Sequence, residues 1–227
     1  MEKGALRNTA IFGPALQVMF FVAAGRTQMA LEEFYLIFVL ILIAQALIYW
    51  MDTGEKVLSS REYRLGNLIY QAPAGVALGL LITSPFLVWG TPKLSPSLPA
   101  DVVTQALFVA FVETVFLVVT VRTLRIGHTK IGWIVWPFLF GFSHAPVRNN
   151  WMVGQFPMES IFAFLYAALF GVLFWLLMAG NELAPEKYRI LFGPVTSWAA
   201  HLTINMVILI FMLMVAGFSL LPLATWW

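Results

Sequence analysis

The sequence contains no cysteine, and this absence removes three kinds of chemistry at once. Disulfide bonds, thiolate ligands for metal ions and a cysteine nucleophile are all excluded. Charge is also scarce, because only 11% of the 227 residues are Asp, Glu, Lys or Arg, against about 25% in soluble domains. The net charge is +2 and the basic residues form no stripe, so we expect no nucleic acid among the partners.

Hydrophobic residues fill the chain instead and make up 61% of it. Water is a poor solvent for such a chain, so we predict an all-α integral membrane protein whose outer surface contacts membrane lipids. We expect a single transmembrane helical domain over residues 1–227, with short connections between its helices. Lys3 and Arg7 precede an apolar run that no small-residue cleavage site follows, so we expect no cleaved signal peptide.

Charged residues and Pro or Gly divide the chain into seven apolar stretches, each of which predicts a transmembrane helix. The first and the fifth are the shortest, at about 16 residues. The predicted spans cover residues 10–25, 31–51, 68–89, 102–121, 131–146, 158–180 and 190–218.

The positive charges predict the orientation of this polytopic bundle. With the N-terminus inside, the outer connections hold only Arg26, Lys93 and Arg148, which leaves ten of the 13 Lys and Arg residues for the inner segments. Because short loops rich in Lys and Arg stay on the cytoplasmic side, we predict about seven spans with the N-terminus inside. We expect the membrane to be an inner, cytoplasmic membrane of the prokaryotic type.

Gly75 and Gly79 lie four residues apart in the third predicted span. Small residues at this spacing let a second helix approach closely. They are also common wherever helices crowd together in a membrane, so both interpretations stay open at the level of the sequence.

A few polar residues interrupt the apolar stretches, and these are the candidate site residues. Glu113 is the one acidic residue deep inside an apolar run, where a carboxylate is costly unless it faces a cavity or a partner. His144 and His201 fall inside the fifth and seventh predicted spans, and Asn205 follows His201 by one helical turn. Each residue alone is more typical of hydrogen bonding between helices. Together, in so apolar a chain, they indicate one internal cavity that all four line.

Two spaced motifs connect these residues with a known family. Phe140-Gly-Phe-Ser-His144 matches the pattern Phe-x-x-x-His, and His201-Leu-Thr-Ile-Asn205 matches His-x-x-x-Asn. In these motifs, their order and their membrane setting, residues 102–218 resemble the CAAX-protease and bacteriocin-processing family of intramembrane glutamate proteases. The resemblance covers about half of the chain and defines its motif-bearing core.

The family's first motif, Glu-Glu-x-x-x-Arg, is half present. Glu113 stands at the first Glu position, whereas Thr114 replaces the second Glu and Val118 replaces the Arg. Thr114 and Ser143 adjoin the motif residues and can support them with hydrogen bonds. Phe140, the first residue of the Phe-x-x-x-His motif, is the third expected supporting residue. A site with these replacements can keep the scaffold of the family and lose its proteolysis.

The resemblance implies hydrolysis of a peptide bond by a water molecule that is activated between Glu113 and His144. It further implies that His201 and Asn205 stabilise the oxyanion, and that the site needs no metal ion or other cofactor. Elementary chemistry agrees, because a carboxylate withdrawn from water is a better proton acceptor and nearby N–H groups stabilise a developing negative charge.

Three functions remain open at this stage. The first is a peptidase that acts on a membrane-embedded peptide substrate. The second is a catalytically inactive scaffold or accessory subunit, whose partners are the transmembrane subunits of a larger complex. The third is a proton or small-solute carrier, because a Glu and His pair at mid-membrane also describes a proton relay, although the chain has no inverted repeat.

Overall fold

The structure is a computed structural model that describes residues 5–27, 29–57, 65–89, 100–124, 132–149 and 158–216. Within these ranges, every regular secondary-structure element is a helix and no strand occurs, which confirms the all-α prediction. Each of the seven predicted apolar stretches overlaps with one α-helix of the described ranges. The helices are α1 (Ala5–Thr27), α2 (Leu31–Thr53), α3 (Leu65–Trp89), α4 (Ala100–Leu124), α5 (Gly132–Asn149), α6 (Met158–Leu183) and α7 (Pro194–Ala216).

Helix α7 begins later than the sequence predicted. Its start was placed at residue 190, but a short 3-10 helix, Glu186–Leu191, occupies that position and α7 begins at Pro194. Proline suits the first turn of a helix, because its missing N–H would have no partner within the helix there. Helix α1 has 23 residues and extends beyond both ends of the first predicted stretch, 10–25.

Several helices have the length and apolar composition needed to cross a membrane. In the described part of the chain, three stretches meet both conditions: Glu33–Thr53, Leu65–Ser84 and Ala106–Leu124. Two shorter apolar stretches, Ile134–His144 and Phe164–Gly180, lie within α5 and α6. These helices identify the chain as a membrane protein.

Helix α2 shows which solvent the protein faces. Leu36, Leu40 and Leu47 share one face of this helix and are exposed, whereas the polar Gln45 points inward and is buried. This pattern is the reverse of a helix in a soluble protein, where the polar residues lie outside. The exposed leucines therefore suit contact with acyl chains.

The helices group into two compact units. Unit 1 comprises Met1–Ser59 and Val115–Trp175, and so holds α1, α2, α5, the last part of α4 and most of α6. Unit 2 comprises Ser60–Thr114 and Leu176–Trp227, and so holds α3, α7, the first part of α4 and the end of α6. The single domain expected from the sequence stays a prediction.

Unit 1 is built around an aromatic core. The ring of Phe116 on α4 lies 5.9 Å from that of Phe21 on α1, 4.9 Å from Phe38 on α2 and 4.8 Å from Trp136 on α5. The indole N–H of Trp136 donates to the carbonyl oxygen of Gly171 at 2.8 Å, which joins α5 to α6. These edge-on ring contacts add to the burial of large apolar surfaces.

A buried polar network also crosses unit 1. The side-chain amide of Gln17 on α1 donates to Gln45 Oε1 and to Thr120 Oγ1, each at 3.0 Å. The amide of Gln45 in turn donates to the carbonyl oxygen of Gly13 at 2.8 Å. Because hydrocarbon offers no partner to a polar group, these bonds hold α1, α2 and α4 together.

In unit 2, Gly75 and Gly79 let α7 approach α3 closely. A Cβ atom on Gly75 would lie 2.5 Å from the carbonyl oxygen of Thr196, and one on Gly79 would lie 2.7 Å from Thr203 Cβ. Real Cβ atoms do not tolerate such distances, so the close-approach interpretation is confirmed. This contact fixes the helix that carries the His-x-x-x-Asn motif.

Hydrogen bonds with α3 and α6 hold the turn that precedes α7. The amide of Gln71 on α3 donates to the carbonyl oxygen of Phe192 at 3.2 Å, and the N–H of Gly193 donates to Leu177 of α6 at 3.0 Å. Gly193 has φ 157°, and a Cβ there would lie 2.8 Å from the Gln71 amide. Its carbonyl then accepts the N–H of Ser197 at 3.1 Å in the first turn of α7.

Candidate functional site

The structure brings two of the predicted site residues into direct contact. Nε2 of His201 on α7 lies 3.1 Å from Oε2 of Glu113 on α4, within the range of an ion pair. Both residues belong to unit 2, and their side chains are 5% and 8% exposed, respectively. A buried carboxylate in a membrane protein is costly, and a partner this close offsets part of that cost.

The register of α4 points Glu113 inward. Ala106, Val109, Ala110 and Glu113 recur at helical spacing and are all buried, whereas Phe111 is exposed. Glu113 therefore occupies a position on the buried stripe that an apolar residue would ordinarily take. Among the acidic side chains that the structure describes, it alone is buried.

Asn205 follows His201 by one turn of α7 and is 3% exposed. Its amide nitrogen, Nδ2, has no hydrogen-bond partner among the described residues. Buried amide groups are almost always hydrogen-bonded, so Nδ2 is a donor suited to an acceptor that lies beyond the described residues. A peptide carbonyl oxygen or a water molecule would satisfy it.

The two predicted supporting hydroxyls both donate within their own helices. Thr114 Oγ1 donates to the carbonyl oxygen of Ala110 at 2.8 Å, and Ser143 Oγ donates to that of Phe140 at 2.7 Å. Hydroxyls commonly satisfy their donor in this way inside membrane helices. Each oxygen can still accept a hydrogen bond, and the supporting role of these residues stays a prediction.

His144 lies on α5 in unit 1 and is half-buried. Its Nδ1 lies 2.8 Å from the carbonyl oxygen of Phe140 and 3.1 Å from Ser143 Oγ. Because a carbonyl oxygen can only accept, we assign a proton to Nδ1, which makes Nε2 the acceptor nitrogen of the neutral ring. That His144 shares a site with Glu113 stays a prediction.

Whether the site can hold a metal ion depends on how its His, Asp and Glu side chains are arranged. In the part of the chain that the structure describes, no group of three or more His, Asp or Glu residues is arranged to hold a metal ion. The contact of Glu113 with His201 supplies two such side chains. The expectation that the site works without a cofactor stays a prediction.

Ser197 is a polar residue of this region that the sequence did not single out. It precedes His201 by one turn of α7, is 0% exposed, and its Oγ has no hydrogen-bond partner among the described residues. Serine is so common in membrane helices that its presence alone carries no signal. Its spacing of four residues from a motif histidine was the one available indication.

No family model, curated protein or solved structure matches this chain. The features of the chain that bear on its function are therefore the two complete motifs and the geometry of unit 2. Within that geometry, the most specific feature is the buried contact between Glu113 and His201.

Proposed function

We propose that this chain is an intramembrane peptidase that hydrolyses membrane-associated peptides with a water molecule activated by Glu113. The proposal rests on one observation, the 3.1 Å contact between Glu113 and His201 inside unit 2. The two residues come from different helices and from two of the three motifs that resemble the CAAX-protease and bacteriocin-processing family. Polar pairs of this kind inside a membrane protein mark functional sites by default.

In the proposed reaction Glu113 is the general base. It takes a proton from water, the water oxygen attacks the peptide carbonyl carbon, and the proton passes to the leaving amine as the C–N bond breaks. A carboxylate has acceptor positions on both oxygens, so Glu113 can contact His201 and a water molecule together. His201 in its protonated form has two N–H donors, one for Glu113 and one for the oxyanion, and Asn205 supplies a further donor.

Purified protein offers a direct test. We expect it to cleave at least one member of a panel of membrane peptides in detergent or in liposomes, and to do so equally well with a metal chelator present. The panel should include prenylated C-termini and leader peptides, because the resemblance is compatible with both. Cleavage that the chelator abolishes would contradict the proposed activation of water by Glu113 without a metal ion.

Asn205→Ala is expected to lower kcat by about 100- to 1000-fold, the usual effect of removing one oxyanion donor. KM should change little, because the lost hydrogen bond forms mainly in the transition state. Asn67→Ala provides a control with the same substitution, at a half-buried position near the start of α3. An equal loss of activity in both variants would contradict the role of Asn205.

A second candidate function is a catalytically inactive subunit of a larger membrane complex. Val118 favours it, because this residue stands at the position of the motif Arg and is 0% exposed. The side chain of a fully buried valine donates no hydrogen bond, and Thr114 brings no second carboxylate. The same scaffold would then serve to contact partner transmembrane subunits or lipids.

We also propose seven spans with the N-terminus on the cytoplasmic side of a prokaryotic-type inner membrane. The seven described helices and the ten inner Lys and Arg residues support this topology. Because the chain has no cysteine, single cysteines can be introduced and labelled without background. A cysteine in 122–130 should react only from the cytoplasmic side and one in 90–101 only from the outside; reaction of both from one side would contradict the topology.

A further inference from the structure

Helix α7 presents a row of polar residues on one face. Ser197, His201 and Asn205 follow one another at intervals of four residues and are all buried. Gln71 of α3 extends this row beyond the start of the helix, since its buried amide lies against Gly193. All of these residues belong to unit 2.

Three residues of this row carry a polar atom with no partner in the described ranges: Gln71 Oε1, Ser197 Oγ and Asn205 Nδ2. Buried groups of this kind are ordinarily satisfied by ordered water molecules, each making about three hydrogen bonds. Four residues of an α-helix rise about 6 Å. Two hydrogen bonds of about 2.8 Å through one water molecule span nearly the same distance.

The two ends of the row differ in character. Near Gln71 and Gly193 lies the 3-10 helix Glu186–Leu191, which has no buried residue and carries exposed charged side chains. Toward the other end of the row, one turn before Asn205, His201 contacts Glu113. The row thus leads from a solvated segment to the buried carboxylate.

We propose that Gln71, Ser197, His201 and Asn205 bind a file of buried water molecules that connects the solvated segment at 186–191 with Glu113. Hydrolysis consumes one water molecule in each cycle, and a site surrounded by lipid needs a polar route for it. The role of the file in supplying water for hydrolysis rests on the proposed function, whereas the presence of the file rests on the polar atoms of α3 and α7.

The file can be tested by proton exchange between water and the imidazole of His201. The protein carries 15N-labelled histidine, and magnetisation transfer from water to the ring N–H protons is measured in detergent without substrate. Loss of a signal in His201→Gln assigns the resonance. We expect the His201 proton of the wild-type protein to exchange with water without unfolding of the protein.

Ser197→Ala should slow this exchange by about tenfold, because it removes one hydrogen bond from the water positions beside His201. Thr83→Val is the matched control: the Thr83 hydroxyl is equally buried, but it donates to the carbonyl oxygen of Gly79 on its own helix at 2.7 Å. Exchange in Thr83→Val should therefore equal that of the wild type.

The proposal would be overturned if the His201 proton of the wild-type protein exchanges with water only on unfolding. It would also be overturned if this proton exchanges in Ser197→Ala at the same rate as in the wild type. If Ser197→Ala does not fold, the exchange rate of the His201 proton in the wild-type protein alone tests the water file. The measurement involves no cleavage, so the two proposals can fail separately. Peptide cleavage without exchange of the His201 proton in the folded protein would refute only the water file. Rapid exchange of that proton without peptide cleavage would refute only the peptidase.

Discussion

Glu113→Gln is expected to lower kcat for peptide cleavage by roughly 100- to 10,000-fold, the contribution of a positioned general base. Glutamine keeps nearly the same volume as glutamate and can occupy the same place beside His201, but it cannot accept a proton from water. The loss should appear in kcat and in kcat/KM alike, because the removed interaction belongs to the transition state.

The same variant is expected to fold at least as well as the wild type. A neutral amide costs less to bury than a carboxylate, so the Tm in detergent should be unchanged or higher. Glu182→Gln is the matched control, since Glu182 is an exposed residue near the end of α6. It should change neither cleavage nor Tm.

Two outcomes would decide between the candidate functions. Cleavage by the wild type that Glu113→Gln abolishes, with the fold intact, supports the peptidase. No cleavage of any peptide by the wild type, together with unchanged stability and cellular role in Glu113→Gln, would instead support the inactive subunit. Retained cleavage in a folded Glu113→Gln variant would contradict the role of Glu113 as the base.

The approximate positions of the helices were predictable because the apolar runs are separated by charged residues or by Pro and Gly. The start of α7 was not, because Ile190 and Leu191 extend the apolar run while the backbone still forms the 3-10 helix. The conformation of Gly193 and the ring of Pro194 determine where the α-helix begins. Hydrophobicity alone does not record such local backbone preferences.

Which polar residues contact one another is harder to predict than which polar residues lie inside apolar stretches. Helical periodicity places Glu113 on a face of α4, but it does not identify the helix on the other side. The family resemblance implied that His144, His201 and Asn205 all lie around Glu113, and the structure shows His201 in contact with it, whereas a shared site with His144 stays a prediction. The bond from Gln17 to Thr120 joins residues 103 positions apart, and no local pattern indicates it.

Gly79→Leu is expected to destabilise the protein more than any other substitution on α3 discussed above. A Cβ atom at this position would lie 2.7 Å from Thr203 Cβ and 2.9 Å from the carbonyl oxygen of Ala200. The second contact is with helix backbone, which can yield only if α7 moves away from α3. Overpacking of this kind costs about 1 to 3 kcal/mol of unfolding free energy.

Gly66→Leu on the same helix is the matched control, because nothing lies within 4 Å of a Cβ placed there. Both variants introduce the same side chain into α3, so a Tm that is lower for Gly79→Leu than for Gly66→Leu reports the contact with α7. Since Ala200 directly precedes His201, displacement of α7 should also lengthen the contact with Glu113 and lower kcat in any fraction that folds. Equal Tm values and equal cleavage in the two variants would contradict the close packing of α3 on α7.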